Sequence, residues 1–230
     1  MAERPDREPA APLTAAQRVL LVAVSAAVVG INWFPNRAWR NAVRDLAGHP
    51  AYGGAWLVVE HALLYSTIPA LSALLAWWLL ARRQLMPPPR ESFSLGAHPR
   101  RSLLAGLAGG LVVSVLVLGV IAASGAAPLH APRFDSWSGL GNLFSNLWEE
   151  IWFSGFILLA LVAATGRRWA GVVVTSLVFA GIHTQYPLGF KALIFVNVAL
   201  MGSVRLWTGS LWTAWIAHQL SDLIIDALLM

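Results

Sequence analysis

Residues 102–124 read SLLAGLAGGLVVSVLVLGVIAAS, and this run contains no charged side chain. It is longer than the ~20 apolar residues that a helix needs to cross the ~30 Å hydrocarbon core of a bilayer. Gly106, Gly109 and Gly110 lie in its first half, and small residues allow membrane helices to approach each other closely. The stretch therefore predicts a transmembrane helix that packs tightly against a neighbouring helix.

Six further apolar segments accompany this helix along the 230-residue chain. We expect them at about 15–34, 55–81, 140–165, 169–183, 190–207 and 211–230. The chain is 57% hydrophobic and 12% charged, whereas about a quarter of the residues in a soluble domain are charged. The sequence thus predicts an all-α fold, a polytopic transmembrane helical bundle with about seven spans, or six to eight where segment ends are ambiguous.

The polar ends and loops predict how this bundle lies in the membrane. Residues 1–14 are polar and carry both signs of charge, so we expect a disordered tail ahead of a single transmembrane domain at 15–230. If seven spans alternate, eleven of the 16 basic residues fall on the side of the N-terminus and five on the other side. This excess predicts a cytoplasmic N-terminus in a cell membrane, either an inner or a plasma membrane.

Composition also narrows the chemistry and the source. The chain has no cysteine, which excludes disulfides, thiolate metal sites and a cysteine nucleophile. The basic residues are dispersed among loops rather than clustered on one surface, so no nucleic-acid partner is expected. Lys191 is the one lysine beside many arginines, and this bias is typical of a GC-rich prokaryotic genome.

Ionisable side chains inside the apolar segments concentrate in the last third of the chain. Glu149 and Glu150 lie in the fourth segment, His183 ends the fifth, and His218 and Asp222 lie in the seventh. A charged group at the centre of a membrane helix costs about 2.5–3.5 kcal/mol on insertion scales, so such groups typically have a function. For the glutamates the alternative is a helix that starts later and holds both in the interface, which the preceding apolar side chains disfavour.

These residue types suit the activation of water. Adjacent residues on a helix diverge by about 100°, so Glu149 and Glu150 cannot meet at one point but can border one cavity. His218 precedes Asp222 by four residues and shares its helix face. A carboxylate base, two imidazoles and an orienting carboxylate can activate water either directly or through a metal.

Three short motifs in these segments resemble those of one family of membrane proteases. They are Glu149-Glu150, Phe179 and His183 in the stretch FAGIH, and His218 and Asp222 in the stretch HQLSD. In this order they are similar to the motifs E-E-x-x-x-R, F-x-x-x-H and H-x-x-x-[N/D] of the CAAX-protease and bacteriocin-processing (CPBP) family, over about residues 140–226. The resemblance implies an endopeptidase similar to type II CAAX prenyl proteases, with its active site in a membrane-embedded cavity.

The resemblance also implies a role for each motif residue. Glu149 would activate the attacking water, and Glu150 would assist or orient it. His183 and His218 would hold the water, a metal or the oxyanion. Asp222 would support His218, while Phe179 and the residue at position 154 would be supporting positions.

Metal dependence stays open at this stage. If a metal is bound, Glu149, His183 and His218 are the expected ligands, and Zn²⁺ is the candidate, because catalytic zinc sites combine three such ligands with water. A metal-free mechanism, with Glu149 as base and the histidines on the oxyanion, is preferred. The reason is that no further carboxylate or histidine is placed to support a metal ligand.

Ser154 marks a departure from the family pattern, which has arginine at this position. Glu150 and Ser154 share a helix face at i and i+4, where an arginine could form an ion pair with the carboxylate. A serine can only donate one hydrogen bond there. The departure allows an inactive member of the family, or a subfamily with a different substrate.

The leading interpretation is an intramembrane endopeptidase, of metallo or glutamate type. It would cleave a peptide bond near the C-terminal tail or a membrane-proximal segment of a protein substrate by Glu-activated water. The expected partners are the lipid bilayer and that protein or peptide. The alternative is a catalytically inactive scaffold or self-immunity protein. A proton-coupled transporter is less favoured, because transporters usually show two matched halves and the ionisable residues here cluster in one half.

Helix lengths predict the depth of the site. Glu149 falls about 14 Å below the outer start of its segment at 1.5 Å per residue, which favours a site at mid-depth or in the outer half. We therefore expect water and substrate to enter from outside. Arg205 is expected to anchor the inner interface. Glu60 and His61 lie outside the motifs, and either line the same cavity or lie near the outer interface.

Overall fold

The computed structural model describes residues 12–33, 35–46, 54–95, 98–125 and 128–229. Within these ranges the chain forms helices joined by short connections, which confirms the prediction of an all-α fold. The predicted disordered tail at 1–14 lies outside the described residues, apart from 12–14.

Helices of two kinds make up the described part of the chain. The α-helices are α1 (Ala15–Trp33), α2 (Pro35–Leu46), α3 (Gly54–Glu60), α4 (Thr67–Arg82), α5 (Pro89–Ser92), α6 (Pro99–Ser124), α7 (Ser136–Glu150), α8 (Leu158–Thr165), α9 (Arg168–Ile182), α10 (Leu188–Thr208) and α11 (Leu211–Leu229). The π-helical segments are π1 (His61–Tyr65), which continues α3, and π2 (Ile151–Ile157), which joins α7 to α8.

Five helical stretches are long and apolar enough to cross a membrane by length and composition. They are Ala15–Asp45, Gly54–Arg82, Pro99–Ser124, Ser136–Thr165 and Leu188–Thr208. The remaining two predicted segments are also helical, as α9 with 15 residues and α11 with 19 residues. These findings confirm a helical membrane bundle. Because α9 spans only about 22 Å at 1.5 Å per residue, it is shorter than the hydrocarbon core.

Helices α6 and α11 approach each other closely through glycine, as the small residues predict. A Cβ atom on Gly106 would lie 2.9 Å from the Cβ of Ile216, and one on Gly110 would lie 2.8 Å from the Ala217 carbonyl oxygen. Any larger side chain at these positions would push the helices apart. The glycines thus fix the position of α11, which carries His218.

The second predicted span is interrupted at Ser66, although the sequence predicts one continuous helix over 55–81. Pro69 has no N–H, so it cannot donate the helical hydrogen bond to the carbonyl of Tyr65. That carbonyl accepts instead from Nδ2 of Asn36 at 2.6 Å. The backbone of Ser66 leaves the helical region with φ −121° and ψ 16°, and α4 begins at Thr67. The break therefore leaves the Tyr65 carbonyl free to accept a hydrogen bond from α2.

Helix α2 was not predicted, because the first segment was expected to stop at Pro35 and to pass into a loop. Proline is tolerated in the first turn of a helix, where its missing N–H leaves no helical bond unmade. In α2, Asn36 and Arg40 stand four residues apart, and Arg40 and Arg44 repeat that spacing. Helical neighbours at this spacing share one face, so the arginine-rich stretch forms a polar helical face instead of a loop.

Contacts made by the connecting segments show which helix ends lie at the same end of the bundle. At one end, the backbone N–H groups of His130 and Arg133 donate to the carbonyls of Leu228 and Ala227 at 2.9 and 2.8 Å. At the other end, Trp212 Nε1 donates to the Phe93 carbonyl at 2.7 Å. Seven segments that cross the membrane in alternating directions would place the same helix ends together.

Candidate active site

Glu150 and His218 join α7 to α11. The Nδ1 atom of His218 lies 2.9 Å from Oε1 of Glu150, and Glu150 is only 4% exposed. Because a carboxylate oxygen accepts, the imidazole carries a proton on Nδ1 and donates it. The other carboxylate oxygen, Oε2, is buried and has no hydrogen-bond partner among the described residues. The contact fixes the imidazole orientation and leaves Nε2 for a different partner.

Asp222 faces the opposite nitrogen of the same imidazole. Its Oδ2 lies 3.7 Å from Nε2 of His218, which exceeds a hydrogen-bond distance. That oxygen instead accepts from Nδ2 of the buried Asn146 at 2.9 Å. Asn146 Nδ2 also lies 3.2 Å from Oε1 of Gln219. Asp222 is therefore positioned by Asn146, and it acts on His218 through its charge.

His183 follows the last residue of α9 and bends back toward it. Its Nδ1 lies 2.7 Å from the carbonyl oxygen of Phe179, and since a carbonyl only accepts, Nδ1 carries the proton. In the neutral imidazole, Nε2 then presents a lone pair. The Phe179 ring lies against both imidazoles, with centroid distances of 4.6 Å to His183 and 6.4 Å to His218.

Two cavities meet at Glu149. The histidine cavity has a volume of about 370 Å³, and its lining includes Asn146, His183, His218 and Asp222. The arginine cavity has a volume of about 320 Å³, and its lining includes Asn32, Asn36, Arg37, Arg40 and Trp152. The side chains that line both cavities are Tyr65, Glu149, His183 and Gln185.

Of the five residues predicted as catalytic, four line the histidine cavity, and the fifth, Glu150, contacts His218. The Glu149 carboxylate interacts electrostatically with Glu150, His183, His218 and Asp222. Helix α9 is shorter than a full span and ends where His183 and Glu149 line the same two cavities.

Ser154 lies in the middle of π2 and is 3% exposed. A π-helix closes hydrogen bonds from i to i+5 rather than i+4. The prediction that Glu150 and Ser154 share one helix face assumed a regular α-helix. The chain forms a π-helix here instead. A Cβ on Gly155 would lie 2.9 Å from the Trp77 ring, so π2 packs tightly against α4.

Arg205, which was predicted to anchor the inner interface, is buried within the protein rather than exposed. It is 2% exposed, and its Nη2 donates to Oγ of Ser92 at 2.6 Å. Its guanidinium also interacts electrostatically with the Glu150 carboxylate. Buried charges are normally paired or hydrogen-bonded. Arg205 thus brings to Glu150 a positive charge from α10, although position 154 carries serine.

The predicted metal ligands line one cavity without forming a ligand group. Among the described residues, no set of three or more His, Asp or Glu side chains is arranged to hold a metal ion. In both His183 and His218, Nδ1 is already in contact with a protein oxygen. Only the Nε2 atoms of the two histidines remain for water, substrate or metal.

Several site residues were missed by the motifs. Asn146 lies one turn before Glu150 on α7, and a buried amide in an apolar segment was the available signal. Tyr65 and Arg40 belong to segments outside the motif region, and Arg40 lies 4.2 Å above the Tyr65 ring. Tyr186 stacks on His183 at 6.1 Å. Burial raises the pKa of the Tyr186 phenol, so the hydroxyl stays protonated at neutral pH.

Comparison with known proteins supports the resemblance seen in the motifs. Residues 134–224 match the family model described as type II CAAX prenyl endopeptidase Rce1-like. This range contains all six residues of the three motifs, namely Glu149, Glu150, Phe179, His183, His218 and Asp222. No curated protein and no solved structure matches the chain.

Proposed function

We propose, from the premise of an Rce1-like domain at residues 134–224, that the chain is an intramembrane endopeptidase. It hydrolyses one peptide bond of a protein substrate, near a C-terminal tail or a membrane-proximal segment. The observation that carries this proposal is the position of Glu149, which lines two cavities together with His183 and beside His218. A carboxylate with imidazoles around one space is the arrangement that activation of water requires.

Glu149 is the general base of this proposal. Among the described residues it forms no hydrogen bond, so its oxygens are available to a water molecule in the cavities. It takes a proton from that water as the oxygen attacks the substrate carbonyl carbon. When the C–N bond breaks, the same carboxyl returns the proton to the leaving amine, so that no proton is gained or lost.

The two histidines have different tasks because their hydrogen bonds differ. With Nδ1–H donated to Phe179, the neutral imidazole of His183 accepts at Nε2, and it therefore holds the attacking water. His218 donates Nδ1–H to Glu150, and the carboxylates on both sides favour a cationic ring that stabilises the developing oxyanion from Nε2. We propose this metal-free assignment, in which Glu150 and Asp222 position His218.

Sidedness belongs to the same proposal. Residues of α2 and of the loop 183–187 line the arginine cavity, and Asp226 near the end of α11 lines the histidine cavity. The adjacent residues Ala227 and Leu228 accept hydrogen bonds from the segment 128–135, so the cavities lie at this end of the bundle. With the N-terminus in the cytoplasm, as the arginine distribution indicates, this end faces outward in the cell membrane. Water and substrate then enter from outside, which suits the trimming of exported proteins.

The test of the proposal compares protein C-termini in cells. Cells that lack the protein are complemented with wild-type chain, with Glu149→Gln, or with Glu91→Gln as a matched control at an exposed position of α5. Mass spectrometry of membrane and exported proteins should show shortened tails with wild type and Glu91→Gln only. Glutamine keeps the volume of the side chain but cannot accept a proton, so shortened tails with Glu149→Gln at normal protein level would refute the assignment of the base.

A second candidate function is an inactive scaffold, which Ser154 in place of arginine favours. The two candidates differ in one outcome. If the protein is a scaffold, the tails of cellular proteins have the same length with wild type and with Glu149→Gln. The binding partners recovered with the two forms are also the same. The buried Arg205, whose charge interacts electrostatically with Glu150, supports the enzyme, since it retains a positive charge that acts on the glutamate.

A further inference from the structure

Asn197 places a carboxamide near the middle of the apolar helix α10. At 1.5 Å per residue it lies about 14 Å from Leu188, where this helix begins. Within the described part of the chain, its side chain forms no hydrogen bond. Polar side chains of membrane helices normally bond to a neighbouring helix, and an amide without a partner in an apolar environment is costly. The carboxamide of Asn197 is therefore available to a molecule that binds there.

The histidine cavity is the space that Asn197 faces. The other side chains of α10 that line this cavity recur every three or four residues and are apolar: Phe190, Leu193, Ile194, Val198 and Met201. Glu149, His183 and His218, to which we assign the chemistry, line the same cavity. Ligand sites typically combine an apolar lining with a few polar groups that fix the orientation of the ligand. Asn197 is the polar group that α10 contributes.

The two other asparagines that line this cavity are already bonded to protein groups. Asn142 Nδ2 donates to Oδ2 of Asp226 at 3.0 Å, and Asn146 Nδ2 donates to Oδ2 of Asp222 at 2.9 Å. These two amides position carboxylates. Asn197 has no such task among the described residues, so its amide differs from theirs in being open to a ligand.

A carboxamide is complementary to the main chain of an extended peptide. Its NH₂ group donates and its oxygen accepts, so it can pair with both the C=O and the N–H of one residue. A substrate segment that unwinds from a membrane helix loses its internal hydrogen bonds, and unsatisfied backbone groups are costly away from water. The carboxamide of Asn197 would satisfy two of these groups, while the apolar side chains of α10 contact those of the substrate.

We propose that Asn197 binds the main chain of the substrate by pairing its carboxamide with the N–H and C=O of one residue. This inference rests on the proposed function, because the bound segment is the one whose peptide bond Glu149 attacks. The segment lies extended along α10 with apolar side chains against that helix. Asn197 thereby positions the substrate through groups that every residue presents, so it favours extended apolar segments over a particular sequence.

The experiment scans the main chain of a peptide for this contact. The parent probe is Val-Ala-Leu-Ile-Ala-Phe with a neutral fluorophore at its N-terminus and a C-terminal amide. In each further probe, an ester replaces one peptide bond and removes a single N–H. The reference chain is the full chain with Glu149→Gln, which keeps the probes intact. Fluorescence anisotropy in lipid nanodiscs, corrected for empty nanodiscs, gives the affinities. We expect one ester position to weaken binding about three- to tenfold, the usual range for a neutral hydrogen bond.

Substitutions in the reference chain assign this loss to Asn197. Asn197→Leu roughly keeps the volume of the side chain but removes both polar groups, so the same ester should weaken binding no more than any other ester. Asn41→Leu is the matched control and should keep the loss, because Asn41 is exposed on α2 and lines neither cavity. Leucine is more favourable than asparagine in an apolar helix, so Asn197→Leu should unfold at an equal or higher temperature.

Three outcomes overturn the inference. The first is that no ester binds the reference chain more weakly than the parent probe does, as expected if Asn197 holds only water. The second is a position-specific loss that persists in Asn197→Leu. The third is a lower unfolding temperature of Asn197→Leu, which would assign the amide to the stability of the bundle.

Failure of the proposed hydrolysis is a separate result. An ester loss that depends on Asn197, without any shortened tails in cells, would refute the protease and leave a peptide-binding site. Shortened tails in cells without an ester loss would refute the role of Asn197 alone.

Discussion

The Nδ1–H of His218 donates to Oε1 of Glu150 at 2.9 Å across the interface between α11 and α7. Glu149, one residue earlier, forms no such bond within the described part of the chain and lines both cavities. Adjacent carboxylates on one helix therefore differ in what they can do. Glu150 is committed to an imidazole inside the protein, whereas Glu149 is free to act on water and substrate.

This division predicts a coupled effect of substitutions at Glu150 and His218. Glu150→Gln removes the charge that orients the imidazole, and by analogy with a carboxylate behind a catalytic histidine we expect a loss of about 100-fold or more in cleavage rate. His218→Gln should cost as much. Because both substitutions disable one unit, the double variant should be little worse than either single variant.

The measurement is the cleavage rate of a tail substrate by the purified chain in nanodiscs, for the four members of the cycle. Thermal unfolding of each variant serves as the control for folding. If the fold-loss of the double variant equals the product of the two single fold-losses in cleavage rate, Glu150 and His218 act independently. This result would contradict the positioning role of Glu150.

The fold and the motif residues were predictable because their signals are local in sequence. The apolar runs gave all seven segments, and the glycines at 106 and 110 correctly indicated a close helix contact. The break at Ser66 was not predicted, although Pro69 was visible. The carbonyl that Pro69 frees is satisfied by Asn36, and only the folded chain brings these two residues together.

Arg205 shows why burial of a charge is hard to predict from a sequence. An arginine near the end of an apolar segment normally extends to the interface, and this one was predicted to do so. Its partner Ser92 belongs to a connection 113 residues away along the chain, so no local pattern announces the contact. The arginines of α2 were missed for a similar reason. They contribute to the site by lining a cavity together with Glu149, which only the folded chain brings near them.

Arg205→Gln should destabilise the protein and reduce cleavage. The substitution removes a buried charge that is hydrogen-bonded to Ser92 and interacts with Glu150. A hydrogen bond to a charged group typically contributes about 1.5–3 kcal/mol, and we expect a loss of this order. Thermal unfolding in detergent and the cleavage rate are the measurements. Arg101→Gln is the control, because Arg101 is exposed and lies over the Trp207 ring at 3.9 Å; equal effects of both substitutions would argue against a special role of Arg205.

Gly110→Ala should lower the unfolding temperature and the activity together. The added Cβ would lie 2.8 Å from the carbonyl oxygen of Ala217, next to His218, and overpacking of this kind costs about 1–3 kcal/mol. Gly119→Ala in the same helix is the matched control, because its Cβ would meet nothing within 4 Å. Alanine favours helices over glycine, so Gly119→Ala should leave stability equal or slightly higher. A normal unfolding temperature for Gly110→Ala would contradict the close contact of α6 with α11.

The direction in which the cavities open can be tested with single cysteines, because the natural chain has none. Ser136 and Thr184 are exposed at the end of the bundle that holds the site, and Arg90 is exposed at the opposite end. Ser136 is chosen in place of Asp135, whose carboxylate accepts from the Trp137 N–H and caps α7 at 2.9 Å. Each cysteine variant is expressed in intact cells and treated with a membrane-impermeant maleimide.

We expect labelling at positions 136 and 184 and none at position 90, because the arginine excess predicts that Arg90 faces the cytoplasm. Permeabilised cells, in which all three cysteines should react, give the control for reactivity. Labelling at position 90 alone would invert the bundle. The cavities would then open to the cytoplasm, and the substrate would be a cytosolic tail at the membrane surface.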